Sequence, residues 1–229
     1  MRIEVCVFDA YGTLFDVAGA AREAAAAPGG GALAESWPAL AETWRRKQLE
    51  YSWIRALADA HADFWTVTCE ALDYALAAHG LDGDAALRAR LTALYRRLPA
   101  YPEVPAMLDA LRADGRRTAI LSNGSPDMLA SAVESAGLAG RLDAVLSVEA
   151  VGVFKPRRAV YDLVGAAFGC APEAVLFTSS NGWDAAAAQG YGFRTLWVNR
   201  HGLPMDRLPW RPALEAPDLS AVPAFAAEP

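Results

Sequence analysis

Short apolar runs of strand-forming residues occur in two parts of the chain. The first run starts at Ile3 and stops at Asp9. After residue 116 such runs alternate with segments of helical spacing. These later runs cover residues 117–121, 143–148, 174–178 and 194–198. Alternating strands and helices predict an α/β fold, with a Rossmann-like parallel sheet core and helices on both faces of the sheet.

The region between the first and second predicted strands follows another pattern. Trp37, Leu40 and Trp44 begin a series of apolar positions at helical spacing, and no strand-like run interrupts the series before residue 99. We therefore expect a helical cap domain inserted into the sheet domain. The predicted division is a cap over residues 16–98 and a Rossmann-like core over residues 1–15 and 99–229.

Two segments carry turn-forming rather than periodic residues. Residues 28–31 read Pro-Gly-Gly-Gly and predict a turn. Residues 199–229 are rich in proline, and we expect them to wrap the surface of the core.

Composition and charge exclude several classes of partner. The net charge of −6 gives no reason to expect a nucleic acid or an anionic membrane as partner. We expect no membrane span, because the strongly apolar runs are short or rich in alanine, and no signal peptide, because a strand begins at once. The three cysteines have no metal-ligand spacing, and their odd number favours a reducing compartment such as the cytoplasm.

Polar residues follow several of the predicted strands. Asp9 ends the first strand, Ser122 and Asn123 follow the second, and Lys155 comes after the third. The segment Ser179–Asp184 follows the fourth. The carboxyl ends of parallel strands meet at one edge of a sheet, so these side chains are expected to converge there. A carboxylate held at that edge is a candidate nucleophile, although Asp9 alone is also compatible with a simple capping role.

The order of these residues resembles the haloacid dehalogenase superfamily. The matching elements are Asp9 followed four residues later by Thr13, then Ser122-Asn123, Lys155-Pro156 and Asp184. In that superfamily the aspartate that ends the first strand attacks an electrophile.

Two positions distinguish between branches of the superfamily. Phosphatases of the superfamily carry a second aspartate two residues after the nucleophile, where this chain has Tyr11. They also collect several acidic residues after the fourth strand to hold magnesium, whereas Asp184 is the one carboxylate in residues 179–184. Both departures resemble the L-2-haloacid dehalogenase branch, as do residues 43–53 and the segment Asn199-Arg200-x-Gly202-x-Pro204.

The resemblance implies hydrolysis of short (S)-2-haloalkanoic acids to (R)-2-hydroxyalkanoic acids through an aspartyl ester, without metal or other cofactor, by a homodimer. The residues expected to be catalytic are Asp9, Thr13, Arg45, Ser122, Lys155, Ser179, Asn181 and Asp184. The residues expected to contact the substrate are Tyr11, Arg45, Phe64, Ser122, Asn123, Tyr161 and Trp183. Arg45 is the expected contact of the released halide, and Asp184 is the candidate base that activates water.

Other interpretations stay open on the sequence alone. A charged cluster that includes Arg45 is also typical of a solvated helix face, and Tyr161 could simply pack in the core. Asp184 could serve only as a helix cap. The alternative functions are a magnesium-dependent phosphatase, because Asp9, Thr13 and Lys155 are shared with that class, and a non-catalytic carboxylate-binding protein.

Overall fold

A parallel β-sheet forms the centre of the molecule. The computed structural model describes residues 2–27 and 30–228. Within that part of the chain the strands are β1 (Val5–Phe8), β2 (Arg117–Ser122), β3 (Ala144–Ser147), β4 (Val175–Ser179), β5 (Arg194–Val198) and β6 (Leu214–Ala216). Their order across the sheet is β3-β2-β1-β4-β5-β6, and all neighbouring strands are parallel.

Helices surround the sheet. In the described residues the α-helices are α1 (Gly19–Ala26), α2 (Trp37–Leu57), α3 (Phe64–Ala78), α4 (Ala85–Tyr95), α5 (Val104–Ala113), α6 (Pro126–Ser135), α7 (Arg158–Phe168), α8 (Gly182–Tyr191) and α9 (Val222–Ala227). None of them is long and apolar enough to cross a membrane. With the right-handed crossovers that are the rule for parallel strands, this strand order puts α5 and α6 on one face of the sheet and α7 and α8 on the other. The predicted α/β fold with a parallel sheet is confirmed.

The central strand β1 explains why its sequence is apolar at every position. All its residues are buried, because helices cover both faces of the sheet and neighbouring strands flank it on both sides. The chain leaves β1 towards β2 and β3 on one side and later returns to β4 on the other. The strand order therefore reverses between β1 and β4, which is where an open α/β sheet forms a binding crevice.

The C-terminal segment differs from its expected role as a surface wrap. Leu214–Ala216 forms β6, which pairs with β5 in the register Leu196 to Leu214. Helix α9 then buries Val222 and Ala226. The sequence pattern missed this strand because it is three residues long and carries an exposed glutamate at its centre. Of the predicted turn over 28–31, residues 28 and 29 lie outside the described residues, and a 3-10 turn covers Gly30–Leu33.

Helices α1 to α4 lie between β1 and the rest of the sheet domain along the chain, and α2 packs against α3. The two segments that connect this helical region to the sheet run side by side. The Asp16 N–H donates to the Pro99 carbonyl, and the Tyr101 N–H donates to the Leu14 carbonyl, both at 2.9 Å. A narrow double connection suits an inserted domain. The division at 15/16 and 98/99 stays a prediction.

Candidate active site

Asp9 lies at the carboxyl end of β1, at the crevice where the strand order reverses. Its N–H continues the sheet by donating to the Thr178 carbonyl at 2.9 Å, and only 6% of the residue is exposed. The Oδ2 atom accepts hydrogen bonds from Thr13 Oγ1 at 3.1 Å and from Asn181 Nδ2 at 3.0 Å. The strand and these two donors fix the direction of the carboxylate.

Lys155 lies between two buried carboxylates. Its Nζ is 3.2 Å from Asp9 Oδ1 and 2.8 Å from Asp184 Oδ2, and 1% of the lysine is exposed. The Lys155 N–H donates to the Asn123 side-chain oxygen at 3.0 Å, which fixes the backbone of the lysine. An ammonium shared by two carboxylates leaves one net negative charge in this buried cluster.

Burial and charge act in opposite directions on Lys155. Burial alone lowers the pKa of its ammonium, but the attraction of Asp184 and Asp9 outweighs burial and raises that pKa above its ordinary value. The pKa of the Asp184 carboxyl is also raised, because burial dominates over the opposing attraction of Lys155, and the negative Asp9 adds to the effect. Lys155 is therefore charged at neutral pH, and Asp184 is more basic than an exposed aspartate.

The loop after β1 is closely packed against the loop after β4. Gly12 has a φ of +89°, and a Cβ there would lie 3.2 Å from Ser180 Oγ, so a larger residue would be strained at this position. The Ser180 N–H donates to Thr13 Oγ1 at 2.8 Å. Thr13 thus connects the two loops as well as holding Asp9. The Asn181 N–H in turn donates to Ser179 Oγ at 3.1 Å.

Arg45 reaches the site from helix α2. Its Nη2 donates to the Tyr11 carbonyl at 3.0 Å and lies 3.4 Å from Asn181 Oδ1. Its Nη1 donates to Gln48 Oε1 at 2.7 Å, and the buried Gln48 donates to Thr68 Oγ1 at 2.7 Å. This network holds the half-buried guanidinium between the helical region and the sheet.

Donors for an anion lie at the end of β2. The Gly124 N–H donates to Ser122 Oγ at 3.0 Å, which leaves the hydroxyl hydrogen of Ser122 free to donate elsewhere. Helix α6 begins two residues later, and a helix N-terminus favours negative charge. A Cβ at Gly124 would lie 2.8 Å from the ring of Tyr11, so glycine is required for this close approach.

These side chains enclose one small cavity with a volume of about 10 Å³. The residues that line it are Asp9, Tyr11, Arg45, Leu49, Phe64, Ser122, Asn123, Lys155, Asn181 and Trp183. The predicted site residues that do not line it are Thr13, Ser179, Tyr161 and Asp184. Tyr161 lies behind Asp184, where its hydroxyl donates to Asp184 Oδ1 at 2.8 Å. We therefore assign Tyr161 a role in positioning Asp184, while its contact with a substrate stays a prediction.

Three residues that contribute to the site are absent from the predicted site residues, although they lie in the segments 43–53 and 199–204 that carry the resemblance. Gln48 and Leu49 lie three and four residues after Arg45, on the same face of α2. This spacing could have identified them. Arg200 comes from the C-terminal segment, and its Nη2 donates to the Thr13 carbonyl at 3.1 Å. Arg200 and Thr13 are far apart in the sequence, and no pattern in either segment indicates that they are in contact.

The donor set does not form a metal site of the usual kind. Across residues 2–27 and 30–228, no three histidine, cysteine, aspartate or glutamate side chains form a group that could hold a metal ion. The ammonium of Lys155 lies between the two carboxylates of the site instead. The arrangement provides an oriented carboxylate, a fixed guanidinium and a set of anion donors around an enclosed space.

The contact between Tyr161 and Asp184 gives a testable consequence for stability. We expect Tyr161→Phe to lower the free energy of unfolding by about 1.5–3 kcal/mol, because it removes a buried hydrogen bond to a charged group. Urea unfolding measures this change. Tyr191→Phe is the matched control, because it removes a hydroxyl that donates to the exposed Asp162 at 2.6 Å. Equal losses in the two variants would contradict the assignment.

The fold and site define a class of protein. A nucleophile candidate at the end of the first strand, a lysine paired with it and helices inserted after that strand are the features of haloacid dehalogenase-like hydrolases, and the model of this hydrolase family matches residues 3–192. The chain belongs to this family, and its relatives narrow the position to the (S)-2-haloacid dehalogenase branch.

Two relatives and one solved structure support that position. The (S)-2-haloacid dehalogenase of Xanthobacter autotrophicus is 47% identical over 198 residues, which cover 86% of this chain and 76% of the relative. The (S)-2-haloacid dehalogenase of Pseudomonas sp. (strain YL) is 42% identical over 220 residues, which cover 96% of this chain and 93% of the relative. The structure of the L-2-haloacid dehalogenase from Xanthobacter autotrophicus with chloropropionic acid covalently bound has a TM-score of 0.87 at 38% identity, over 98% of both chains.

Proposed function

We propose that this protein hydrolyses short (S)-2-haloalkanoic acids to (R)-2-hydroxyalkanoic acids without a metal ion. The observation that carries the proposal is the buried ammonium of Lys155 between Asp9 and Asp184, in a cavity that also contains Arg45. The names of the relatives, and the chloropropionic acid bound covalently in one of them, support the same chemistry.

In the first step, an oxygen of Asp9 attacks the second carbon of the substrate. The bond between carbon and halogen breaks, the halide leaves with the electron pair, and an ester forms between Asp9 and the substrate. In-line displacement inverts the configuration at that carbon. Asn181 and Thr13 orient the attacking carboxylate, and the enclosed cavity limits its hydration.

Arg45 is proposed to stabilise the departing halide. A guanidinium held by Gln48 and the Tyr11 carbonyl is fixed before the reaction starts, so it needs little reorganisation as negative charge develops. The substrate carboxylate is proposed to accept hydrogen bonds from Ser122 and from the backbone near Asn123. Tyr11, Phe64 and Trp183 form the apolar part of the cavity.

In the second step, water attacks the carbonyl carbon of the ester. The carbonyl carbon belongs to Asp9, so the oxygen of the water remains in the regenerated carboxylate. The 2-hydroxyacid leaves with the oxygen through which Asp9 had attacked. Asp184 is proposed to accept the proton of that water, and its raised pKa suits a base. Ser179 fixes the backbone at Asn181, and Tyr161 fixes Asp184.

The proposal is tested by halide release in the presence of EDTA. We expect chloride and (R)-lactate from (S)-2-chloropropionate, and no release from the (R) enantiomer. Chloride electrodes and chiral chromatography measure the two products. A folded protein that releases no chloride from the (S) form, or that instead hydrolyses a phosphate ester in a magnesium-dependent reaction, would refute the proposal.

We also propose that the protein acts as a cytoplasmic homodimer on this small substrate. The free cysteines Cys6, Cys69 and Cys170 suit a reducing compartment, and burial raises the pKa of the Cys6 thiol to about 12. Ile54 on α2 and Tyr74 on α3 are exposed large apolar side chains of the helical region, which suits contact with a second copy. Sedimentation equilibrium measures the assembly.

A further inference from the structure

A second cavity lies beside the active-site cavity and shares one side chain with it. This apolar groove has a volume of about 420 Å³ and is lined mainly by Trp53, Leu57, Pro156, Trp183, Ala187 and Trp210. Trp183 lines both the groove and the active-site cavity. The indole of Trp183 is therefore the wall between the two spaces.

The active-site cavity is too small for a substrate as it stands. A volume of about 10 Å³ corresponds to about one water molecule, so any haloacid must displace part of the lining. Lys155, Arg45 and Asn181 are each held by hydrogen bonds described above. Those residues are costly to move, because a displaced buried polar group loses its partners.

Trp183 is held differently. Its buried Nε1 has no hydrogen-bond partner, and its ring meets the ring of Trp53 edge-on with centroids 5.3 Å apart. No polar contact of the indole is broken if the ring moves. Trp183 therefore combines a bulky ring, no hydrogen-bond anchor and an apolar space behind it. Leu49 also adjoins a further cavity, of about 700 Å³, but the charged Arg45, Arg46 and Glu42 line that one.

The chemistry of the groove limits what can enter it. Almost all of its lining is apolar, and Pro156 lies directly beyond Lys155 in the chain. Such a surface favours hydrocarbon, and the charged residue that borders it is Arg157. Each buried methylene strengthens binding by about fourfold.

We propose that Trp183 limits the chain length of the substrate, and that the apolar groove is the subsite for the alkyl chain of longer 2-haloalkanoic acids. This inference rests on the proposed function, because it needs a haloacid whose second carbon lies beside Asp9. The carboxylate and halogen stay among the polar groups of the cavity. The alkyl chain then runs past the position of Trp183 towards Ala187 and Trp210.

The test compares kcat and KM for (S)-2-chloropropionate, 2-chlorohexanoate and 2-chlorooctanoate. In the wild type we expect kcat/KM to fall as the chain lengthens. Trp183→Ala is expected to raise the ratio of kcat/KM for 2-chlorooctanoate over 2-chloropropionate by at least about tenfold, mainly through KM. Trp183→Phe keeps an aromatic wall and is expected to retain a ratio near that of the wild type.

A larger side chain in the groove distinguishes binding of the alkyl chain there from a general increase in the flexibility of the active site. Ala187→Leu fills the groove from helix α8 without touching the active-site cavity, so alone it is expected to leave turnover of 2-chloropropionate unchanged. Combined with Trp183→Ala, it is expected to return the chain-length ratio towards the wild-type value. If Trp183→Ala does not fold, Trp183→Leu provides the same comparison with a smaller opening.

Three results would overturn the inference. The first is an unchanged ratio in Trp183→Ala and Trp183→Leu while 2-chloropropionate is still turned over. The second is an increased ratio that persists when Ala187→Leu is added. The third is that Ala187→Leu, added to Trp183→Ala, changes the oligomeric state but not the ratio, which would mean that the groove is a contact with a second copy of the chain. A wild-type protein that turns over no haloacid would instead refute the proposed function.

Discussion

Asp9→Asn is expected to abolish halide release from (S)-2-chloropropionate, with a loss of about four orders of magnitude or more in kcat. The amide oxygen is neutral and much less nucleophilic than a carboxylate, so it cannot form the ester at a comparable rate. The variant should still fold, because Lys155 keeps its contact with Asp184 at 2.8 Å. Chloride release measures the activity, and circular dichroism checks the fold.

Asp16→Asn is the matched control for this variant. Asp16 lies in the same loop region, but its carboxylate pairs with the half-exposed Arg22 at 2.7 Å, outside the cavity. Its replacement is expected to leave kcat within about twofold, since surface pairs contribute little. If Asp9→Asn were about as active as Asp16→Asn, Asp9 would not be the nucleophile. That result would favour a non-catalytic carboxylate-binding protein.

The ester itself can be detected with heavy-oxygen water. In a single turnover with excess wild-type protein, the label is expected in the peptide that contains Asp9, because water attacks the carbonyl carbon of that residue. Mass spectrometry of the digested protein measures the label. Label confined to the 2-hydroxyacid would mean that water attacks the substrate directly.

The convergence of the polar strand ends could be predicted from the sequence for a physical reason. The ends of parallel strands share one edge, so the strand pattern and the positions of Asp9, Ser122 and Asn181 were sufficient to bring them together. The structure places all three around one cavity. Their catalytic roles remain proposals, because proximity alone does not show that a group reacts.

The contacts between distant segments could not be predicted in the same way. The position of α2 over the sheet depends on packing across the helical region, so the contacts of Arg45 with the Tyr11 carbonyl and Asn181 had no local signal. The contact of Tyr161 with Asp184 likewise depends on how α7 packs against α8. Strand β6 was missed because its pairing with β5, rather than its own three residues, makes it a strand.

The second large effect is expected at Lys155. We expect Lys155→Met to lower kcat by about 10²- to 10³-fold, because the proposed reaction loses the charge that pairs with the nucleophile. We also expect the free energy of unfolding to fall by about 3–5 kcal/mol, because two buried carboxylates lose their shared partner. Chloride release and urea unfolding measure the two changes. Lys47→Met is the matched control, because Lys47 pairs with the half-exposed Glu50 at 2.9 Å on α2.

The pH dependence of this loss follows from the pKa shifts. In the wild type the pKa of Lys155 is raised, so its stabilising contribution is present at neutral pH and is lost only as the pH rises through that raised value, above 10.5. In Lys155→Met the pKa of Asp184 should rise further, because the attraction that lowers it is gone while burial and Asp9 remain. A protonated Asp184 removes the unpaired charge, so the stability difference from the wild type should be smaller at pH 5 than at pH 8. A difference that is constant across this range, or equal to that of Lys47→Met, would mean that the buried ammonium does not hold the two carboxylates together.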